Sequence, residues 1–204
     1  MKLHASPPSP FVRKVMVMAI ETGLDDRIEP VFHALSPVAP VKALNRDNPV
    51  GKIPCLVMDD GQALYDSRVI CEYLDSLHDG PKMFPADGAA RWTALRRQAL
   101  ADGLMDAAVL RRYETVLRPE ELRWDEWNRN QGLKVQRCVD ALETEVEGFG
   151  KTLDIGSLSV GVALSYLDFR FPKMRWAATH PKLANWHPVF TMRESMTRTE
   201  PPTE

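Results

Sequence analysis

The sequence predicts a chain of two parts, an α/β domain over residues 1–79 and an all-α domain over residues 89–204. Strand-like and helix-like runs alternate only in the first eighty residues or so, and every periodic apolar run beyond residue 88 repeats at helical spacing. Between them, the breaker-rich Asp79-Gly80-Pro81-Lys82 opens a stretch from Gly80 to Gly88, with Pro81 and Pro85, that reads as a linker.

Lys2 to Ala5 and Ile28 to Ala34 read as short strands flanking a helix from about Pro10 to Thr22. Phe11, Val15, Met18 and Ala19 recur on one helical face, with Val12 and Met16 beside them, and Gly23 is the stop signal. A β-α-β unit predicts parallel strands joined by a right-handed crossover. Cys55 to Met58 and Ala63 to Tyr65 flank an Asp-Gly turn, so an antiparallel hairpin follows. The next helix begins near Ser67 and turns Ile70, Tyr73, Leu74 and Leu77 to one side. Such an order packs helices on a four-stranded mixed sheet.

Beyond the linker, one helical run goes from Ala89 to about Val116 through Trp92, Leu95, Ala99, Leu104, Ala108 and Leu110. A second goes from about Pro119 through Trp124, Trp127, Leu133, Val139, Leu142 and Val146 to Gly148. The largely apolar stretch from Leu158 to Phe171 predicts a central buried helix, weakened slightly by Gly161. A final helix from about Pro181 to Met196 carries Leu183, Trp186, Val189 and Met192, and a loose polar tail is expected from Thr199.

With 204 residues and 44% hydrophobic content the chain can bury a substantial core. A formal net charge of −2 provides no basic footprint for nucleic acid or an anionic membrane, and no apolar run approaches the roughly 18 residues a spanning helix needs. Lys2 and His4 precede prolines rather than a signal-like apolar stretch, so the expected location is cytoplasmic. Three cysteines without a pairing motif fit a reducing compartment, and five scattered histidines give no metal-ligand spacing. A small ligand is the expected partner.

The chemistry starts in Ser6-Pro7-Pro8-Ser9-Pro10-Phe11-Val12-Arg13, a turn that opens a helix. The first helical turn leaves amide donors without internal partners and carries roughly half a positive charge, so it receives anions. Ser9 suits the cap and Pro10 the first helical position. A hydroxyl so placed serves either as a plain cap or as a donor to a thiolate, and Ser6 is the rival hydroxyl upstream. Asn48-Pro49-Val50-Gly51-Lys52-Ile53-Pro54 leads into the hairpin; a cis peptide at Pro54 would let the Ile53 backbone pair with an extended peptide. Asp66-Ser67 heads another helix, either as its cap or as receptors for an ammonium and a carboxylate.

In this order and spacing, Ser9-Pro10-Phe11-Val12-Arg13, Asn48 to Pro54, and Asp66-Ser67 followed by Ile70-Cys71-Glu72-Tyr73-Leu74 resemble the cytosolic glutathione transferases along the whole chain. The likeness is to bacterial members with a serine-type site, similar to the tau and omega classes; Ala101 to Asp106 and Arg193-Glu194-Ser195 add to it. It implies a thioredoxin-like N-terminal domain and an all-helical C-terminal domain, the glutathione transferase fold. It also implies a cytoplasmic homodimer that takes glutathione as co-substrate, uses no metal, and conjugates small electrophiles as in detoxification.

Carried over by position, the resemblance makes Ser9 the catalytic donor to the glutathione sulfur, with Phe11 lining that pocket. Ile53 would pair with the cysteinyl part, Asp66 and Ser67 would hold the γ-glutamyl end, and Lys52 would face a carboxylate. Lys42 and His33 are candidates for a further basic contact within an irregular segment from Leu35 to Asn48. The electrophile pocket would lie near Met105, Val109, Arg112 and Tyr113. Asp102 and Asp106, four apart on one face, would receive an ammonium or an arginine, or serve structure alone.

Two other functions share these residues: a glutathione-binding scaffold without catalysis, and a thiol–disulfide or deglutathionylating oxidoreductase. The latter needs a cysteine nucleophile at the helix start, where Ser9 stands; Cys55 and Cys71 read as small core residues. The chain departs from the family's pattern at Asp66, where a longer glutamate or glutamine is usual. It departs again at Ser157-Leu158-Ser159-Val160, which lacks the carboxylate of a capping box and keeps half of that reciprocal bond.

Overall fold

The computed structural model describes residues 1–202. They cluster into two compact units, Met1–Phe84 together with the segment from Glu194 on, and Pro85–Arg193.

In the first unit, β1 (Lys2–Ala5) runs parallel to β2 (Glu29–Phe32) and antiparallel to β3 (Cys55–Val57), which pairs antiparallel with β4 (Ala63–Leu64). The order β2-β1-β3-β4 makes β1 a central strand, and Leu3 and Ala5 are fully buried on one side while His4 is buried on the other. Between β1 and β2 lies α1 (Pro10–Glu21), whose Val15, Val17, Met18 and Ala19 are fully buried. Phe11 and Met16 of the predicted face are only half-buried; Lys14 takes a fully buried place instead. Gly23, at φ +68°, ends this helix, and Leu24 N–H then reaches back to the Ala19 carbonyl at 2.8 Å.

The Leu35–Asn48 stretch is not wholly irregular, since it contains α2 (Lys42–Asp47), a short helix that buries Leu44. After β4 comes α3 (Ser67–Ser76), which buries Ile70, Cys71, Leu74 and the carboxylate of Asp75. Asp75 decides where this unit stops. It accepts from Met83 N–H at 2.9 Å and Phe84 N–H at 3.1 Å, and both apolar side chains are buried. Half of the predicted linker is thereby folded into the first unit.

The predicted last helix is two. The first piece is α7 (Pro181–Thr191), in the second unit, and the other is α8 (Glu194–Thr197), which packs on α1. Ser195 Oγ donates to Glu21 at 2.5 Å, and Arg13 donates to the Met196 carbonyl at 3.0 Å and to Thr199 Oγ1 at 3.3 Å. The tail expected to be loose is therefore pinned at Thr199. These contacts place residues from Glu194 on with the α/β unit, where the sequence reading carried the helical domain to 204.

The second unit contains α4 (Gly88–Arg112), α5 (Asp125–Glu145), α6 (Ile155–Arg170) and α7. Every residue of α6 from Ile155 to Leu167 is buried, as its apolar run predicts, so it forms the axis of this unit. Gly161 is no weakness there: a Cβ at that position would stand 2.1 Å from the Phe190 ring, so only glycine allows the approach. The cap of α6 is also complete. Asp154, ahead of the predicted start, accepts from Ser157 N–H at 2.7 Å, and Ser157 Oγ accepts from Asp154 N–H at 3.1 Å, a capping box with its two residue types exchanged.

Along α4, Leu104 and Ala108 are buried as predicted while Trp92, Ala99 and Leu110 face outward. In α5 the buried positions are Gln131, Val135, Val139 and Leu142, leaving Leu133 exposed, and Trp124, just ahead of the helix, is exposed as well.

Candidate functional site

Register brings the three sequence motifs to one end of the sheet. His4 pairs with Cys55, and Leu56 pairs with Leu64. Extending those ladders by a residue or two sets Ile53-Pro54 beside the chain leaving β1 toward Ser9, and sets Asp66 level with Pro54. β2 is parallel to β1, so His33 emerges at that same end. Chain segments that leave parallel strands at their C-terminal ends are where α/β sheets place ligands.

Ser9 caps α1 in extended conformation, and its Oγ accepts from Val12 N–H at 3.3 Å. Plain capping is therefore observed, and it uses an oxygen lone pair while leaving the hydroxyl proton to donate elsewhere. Ser6 holds the turn from its backbone, its carbonyl accepting from Ser9 N–H at 3.0 Å. Pro10 offers no amide, so the exposed donors of this helix start are few and directional. Phe11 is half-buried, with the buried Lys14 ammonium 6.0 Å from its ring centre.

The Ile53-Pro54 peptide is cis, as the motif suggested. Lys52 is exposed, and its carbonyl accepts from the Asn48 side-chain amide at 2.7 Å, while Asn48 Oδ1 accepts from Val50 N–H at 3.0 Å. Asn48 is itself buried, so one side chain fixes the loop from inside. Among the described residues the Ile53 backbone has no hydrogen bond of its own, and Ile53 lies in a bend just ahead of β3. Asp66 caps α3 with Oδ1 accepting from Arg68 N–H at 3.0 Å, and the bond from Tyr65 to Asp66 is also cis. Asp66 is exposed; Ser67, in the first turn, is buried.

Of the two further basic candidates, Lys42 is exposed and His33 is committed. His33 Nε2 and His4 Nδ1 share a proton at 2.7 Å, and His4 Nε2 meets Asp47 Oδ2 at 2.9 Å. Burial and the adjacent His4 hold the His33 ring below the usual imidazole range. The Asp47 carboxylate lies below its usual range through hydrogen bonds from Arg46 and His4. This relay and the Asn48 clamp are absent from the sequence reading, because they join residues 29 to 43 positions apart or act through a loop interior. The available signal was a histidine set between the apolar Leu3 and Ala5 of the first strand.

The thiols are poor nucleophiles. Cys55 and Cys71 are fully buried, and burial with the nearby Asp47 charge pushes the Cys55 thiol up to about 11. Cys138 is half-buried and is raised by burial too. Among the described residues no group of three or more His, Cys, Asp and Glu side chains could hold a metal ion, and no helix is long and apolar enough to cross a membrane.

Residues 8–77 match the glutathione S-transferase N-terminal domain family and residues 125–187 the C-terminal domain family. An uncharacterised GST-like protein of Escherichia coli K12, YibF, is 34% identical over 207 residues, covering 99% of both chains. A glutathione transferase family member from Pseudomonas fluorescens Pf-5, solved with bound glutathione, superposes with TM-score 0.97 at 50% identity over 99% of each chain. A second such structure from that source, with bound S-(propanoic acid)-glutathione, gives TM-score 0.92 at 46% identity over the full length of both. Two matched domains in the expected order, on a thioredoxin-like sheet followed by a helical unit, lead to one conclusion: this chain belongs to the glutathione S-transferase family.

Proposed function

We propose that this protein is a cytoplasmic, homodimeric glutathione transferase that activates the glutathione thiol with Ser9 and conjugates it to small electrophiles. The observation that carries the reading is the Ser9 cap: a hydroxyl at a helix start, accepting from Val12 N–H and still able to donate. A free thiol has a pKa near 8.5 and is mostly protonated at neutral pH; a hydroxyl donor and a helix N-terminus stabilise its thiolate and bring that value toward ~7 or below. The thiolate then attacks, a sulfur–carbon bond forms, and the electrophile's leaving group or π-electrons take the displaced pair.

The remaining roles are those that the family resemblance implies. The Ile53 backbone pairs with the cysteinyl residue, Asp66 and Ser67 receive the γ-glutamyl ammonium and carboxylate, and Lys52 faces a carboxylate. Phe11 lines the sulfur pocket. Asp66 offers its free Oδ2, and the buried Ser67 contributes chiefly through its position in the first turn of α3. Relatives of 46% and 50% identity that bind glutathione or a glutathione conjugate support this reading.

The test is the ultraviolet thiolate band of bound glutathione, titrated against pH. In the native protein its midpoint falls below that of free glutathione, and Ser9→Ala moves it back up. A midpoint indifferent to Ser9→Ala would remove the serine from catalysis, and tight binding with no turnover across halo-aromatics, enals, epoxides and peroxides would leave a scaffold.

A further inference from the structure

One hydrogen-bond chain in the first unit ends on an atom that the glutathione reading leaves unused. Asp47, the last residue of α2, meets His4 Nε2 at 2.9 Å, and a carboxylate only accepts, so His4 Nε2 carries the proton. In the uncharged chain His4 Nδ1 is therefore an acceptor, and His33 Nε2–H donates to it at 2.7 Å. The remaining nitrogen, His33 Nδ1, is then a bare lone pair, without a hydrogen-bond partner among the described residues. A proton added there breaks none of these bonds: His33 becomes an imidazolium whose Nε2–H still points at His4, and the added charge can spread along the chain toward the Asp47 carboxylate. A second proton would set two N–H groups face to face, so the chain has room for one.

His33 is half-buried one step beyond the Ala5–Phe32 pair, and its N–H donates to the Ala5 carbonyl at 2.9 Å. Few titratable groups surround it. From α2 come Asp47 and, bonded to it at 3.0 Å, the exposed Arg46; Lys42, at the other end of that helix, is exposed too. From β3 comes Cys55, paired in register with His4, and a thiol raised to about 11 keeps its proton. Residues 34–41, which lead from β2 to α2, hold no ionisable side chain. Burial and the adjacent His4 hold His33 below the usual imidazole range, so without a ligand it is largely uncharged at neutral pH.

We propose that glutathione binding to this protein is coupled to the uptake of one proton by the His33–His4–Asp47 chain, His33 Nδ1–H then donating to the glycyl carboxylate. The inference rests on the glutathione reading and adds a pH control to the same site. Sheet order says which carboxylate arrives: β4 and β2 are the two edges, three strand spacings or about 14 Å apart. A tripeptide extends about 10 Å. With its γ-glutamyl end at Asp66-Ser67, after β4, and its middle at Ile53, before β3, its glycyl end runs toward β1 and β2. There the carboxylate draws a solvent proton onto His33, a charge-assisted hydrogen bond forms, and His4 and Asp47 act as positioning residues.

The test is titration calorimetry of the full chain with S-methylglutathione, which has no thiol to ionise, at pH 7 in buffers of different ionisation enthalpy. The expected result is uptake of roughly half a proton or more per site, with affinity rising as pH falls from 8 to 6.5, because the ligand raises the His33 pKa. His33→Gln keeps a donor toward His4 but takes no proton, so uptake falls to near zero. Asp47→Asn still accepts from His4 without the negative charge and reduces uptake at the same pH. S-methylglutathione amidated at its glycyl carboxyl binds with no uptake. Binding of S-methylglutathione without uptake, or native uptake in His33→Gln, in Asp47→Asn or with the amidated ligand, overturns the coupling while the glutathione reading stands. Failure to bind both glutathione and S-methylglutathione overturns both.

Discussion

Asn48 donates from Nδ2 to the Lys52 carbonyl at 2.7 Å and so ties the loop that delivers Ile53 to the end of the sheet. Its Oδ1 takes Val50 N–H, which means a buried side chain replaces two contacts that solvent would otherwise make. Replacing Asn48 by Ala leaves the Lys52 carbonyl and Val50 N–H without these partners, at a cost of about 1–3 kcal/mol in unfolding free energy. Urea denaturation measures that loss, and glutathione titration is expected to show a larger drop in affinity than Lys52→Ala produces. If Asn48→Ala bound glutathione as well as the native protein, the loop would not be positioning Ile53.

Ser9→Ala removes a helix cap as well as the proposed thiolate donor. The cap alone accounts for about 1 kcal/mol of stability. A Ser9→Asn variant restores capping without a hydroxyl, so its stability is expected near native while its kcat/KM at pH 7 stays as low as that of Ser9→Ala. Recovery of activity in Ser9→Asn would show that the cap, rather than the hydroxyl, serves catalysis.

Gly161 lies against the Phe190 ring so closely that even a methyl group overpacks the helical unit. Gly161→Ala is expected to destabilise by about 1–3 kcal/mol or more, with Phe190→Leu in the same chain recovering part of it. Thermal unfolding of the two single variants and the double variant checks the coupling.

Glu145 accepts both terminal nitrogens of Arg96 at 2.7 Å and Nε of Arg97 at 3.2 Å, and these hydrogen bonds hold its carboxyl below the usual range. A depressed folded-state pKa contributes stability that is complete above the unfolded value and is lost as pH falls through the folded one. The native protein is therefore expected to lose stability below about pH 4.3, the ordinary glutamate value, and Glu145→Gln flattens that part of the profile. Chemical denaturation at a series of pH values reads the difference.

The Cys55 thiol, buried and raised to about 11, is expected to resist dithionitrobenzoate at pH 8 in the folded protein, as is the buried Cys71. Denaturation releases all three thiols of the chain to the reagent. Rapid native labelling of Cys55 together with loss of activity would revive the oxidoreductase alternative.

Where local rules govern, the chain was readable. Ser9, Pro10 and Gly23 bracket α1, the Asp-Gly turn closes the hairpin of β3 and β4, and the apolar run marks α6, because caps, turn residues and periodicity act within a few positions. Periodicity overstated burial where one face of a helix is only partly covered in the chain: Trp92, Trp124, Val189 and Met192 are 63–80% exposed. The short α2 escaped notice because six residues with only Leu44 buried give no period to see.

What the sequence determined by itself is the element order and the three motifs, Ser9-Pro10, Ile53-Pro54 and Asp66-Ser67, since each is a local statement about backbone and capping. Tertiary structure decided which of these stand at one sheet end, that His4 joins His33 to Asp47, that Asp75 captures Met83 and Phe84, and that α8 packs on α1. Those outcomes depend on ladder register and on burial shared between residues far apart in the chain, and a spacing rule holds no information about either.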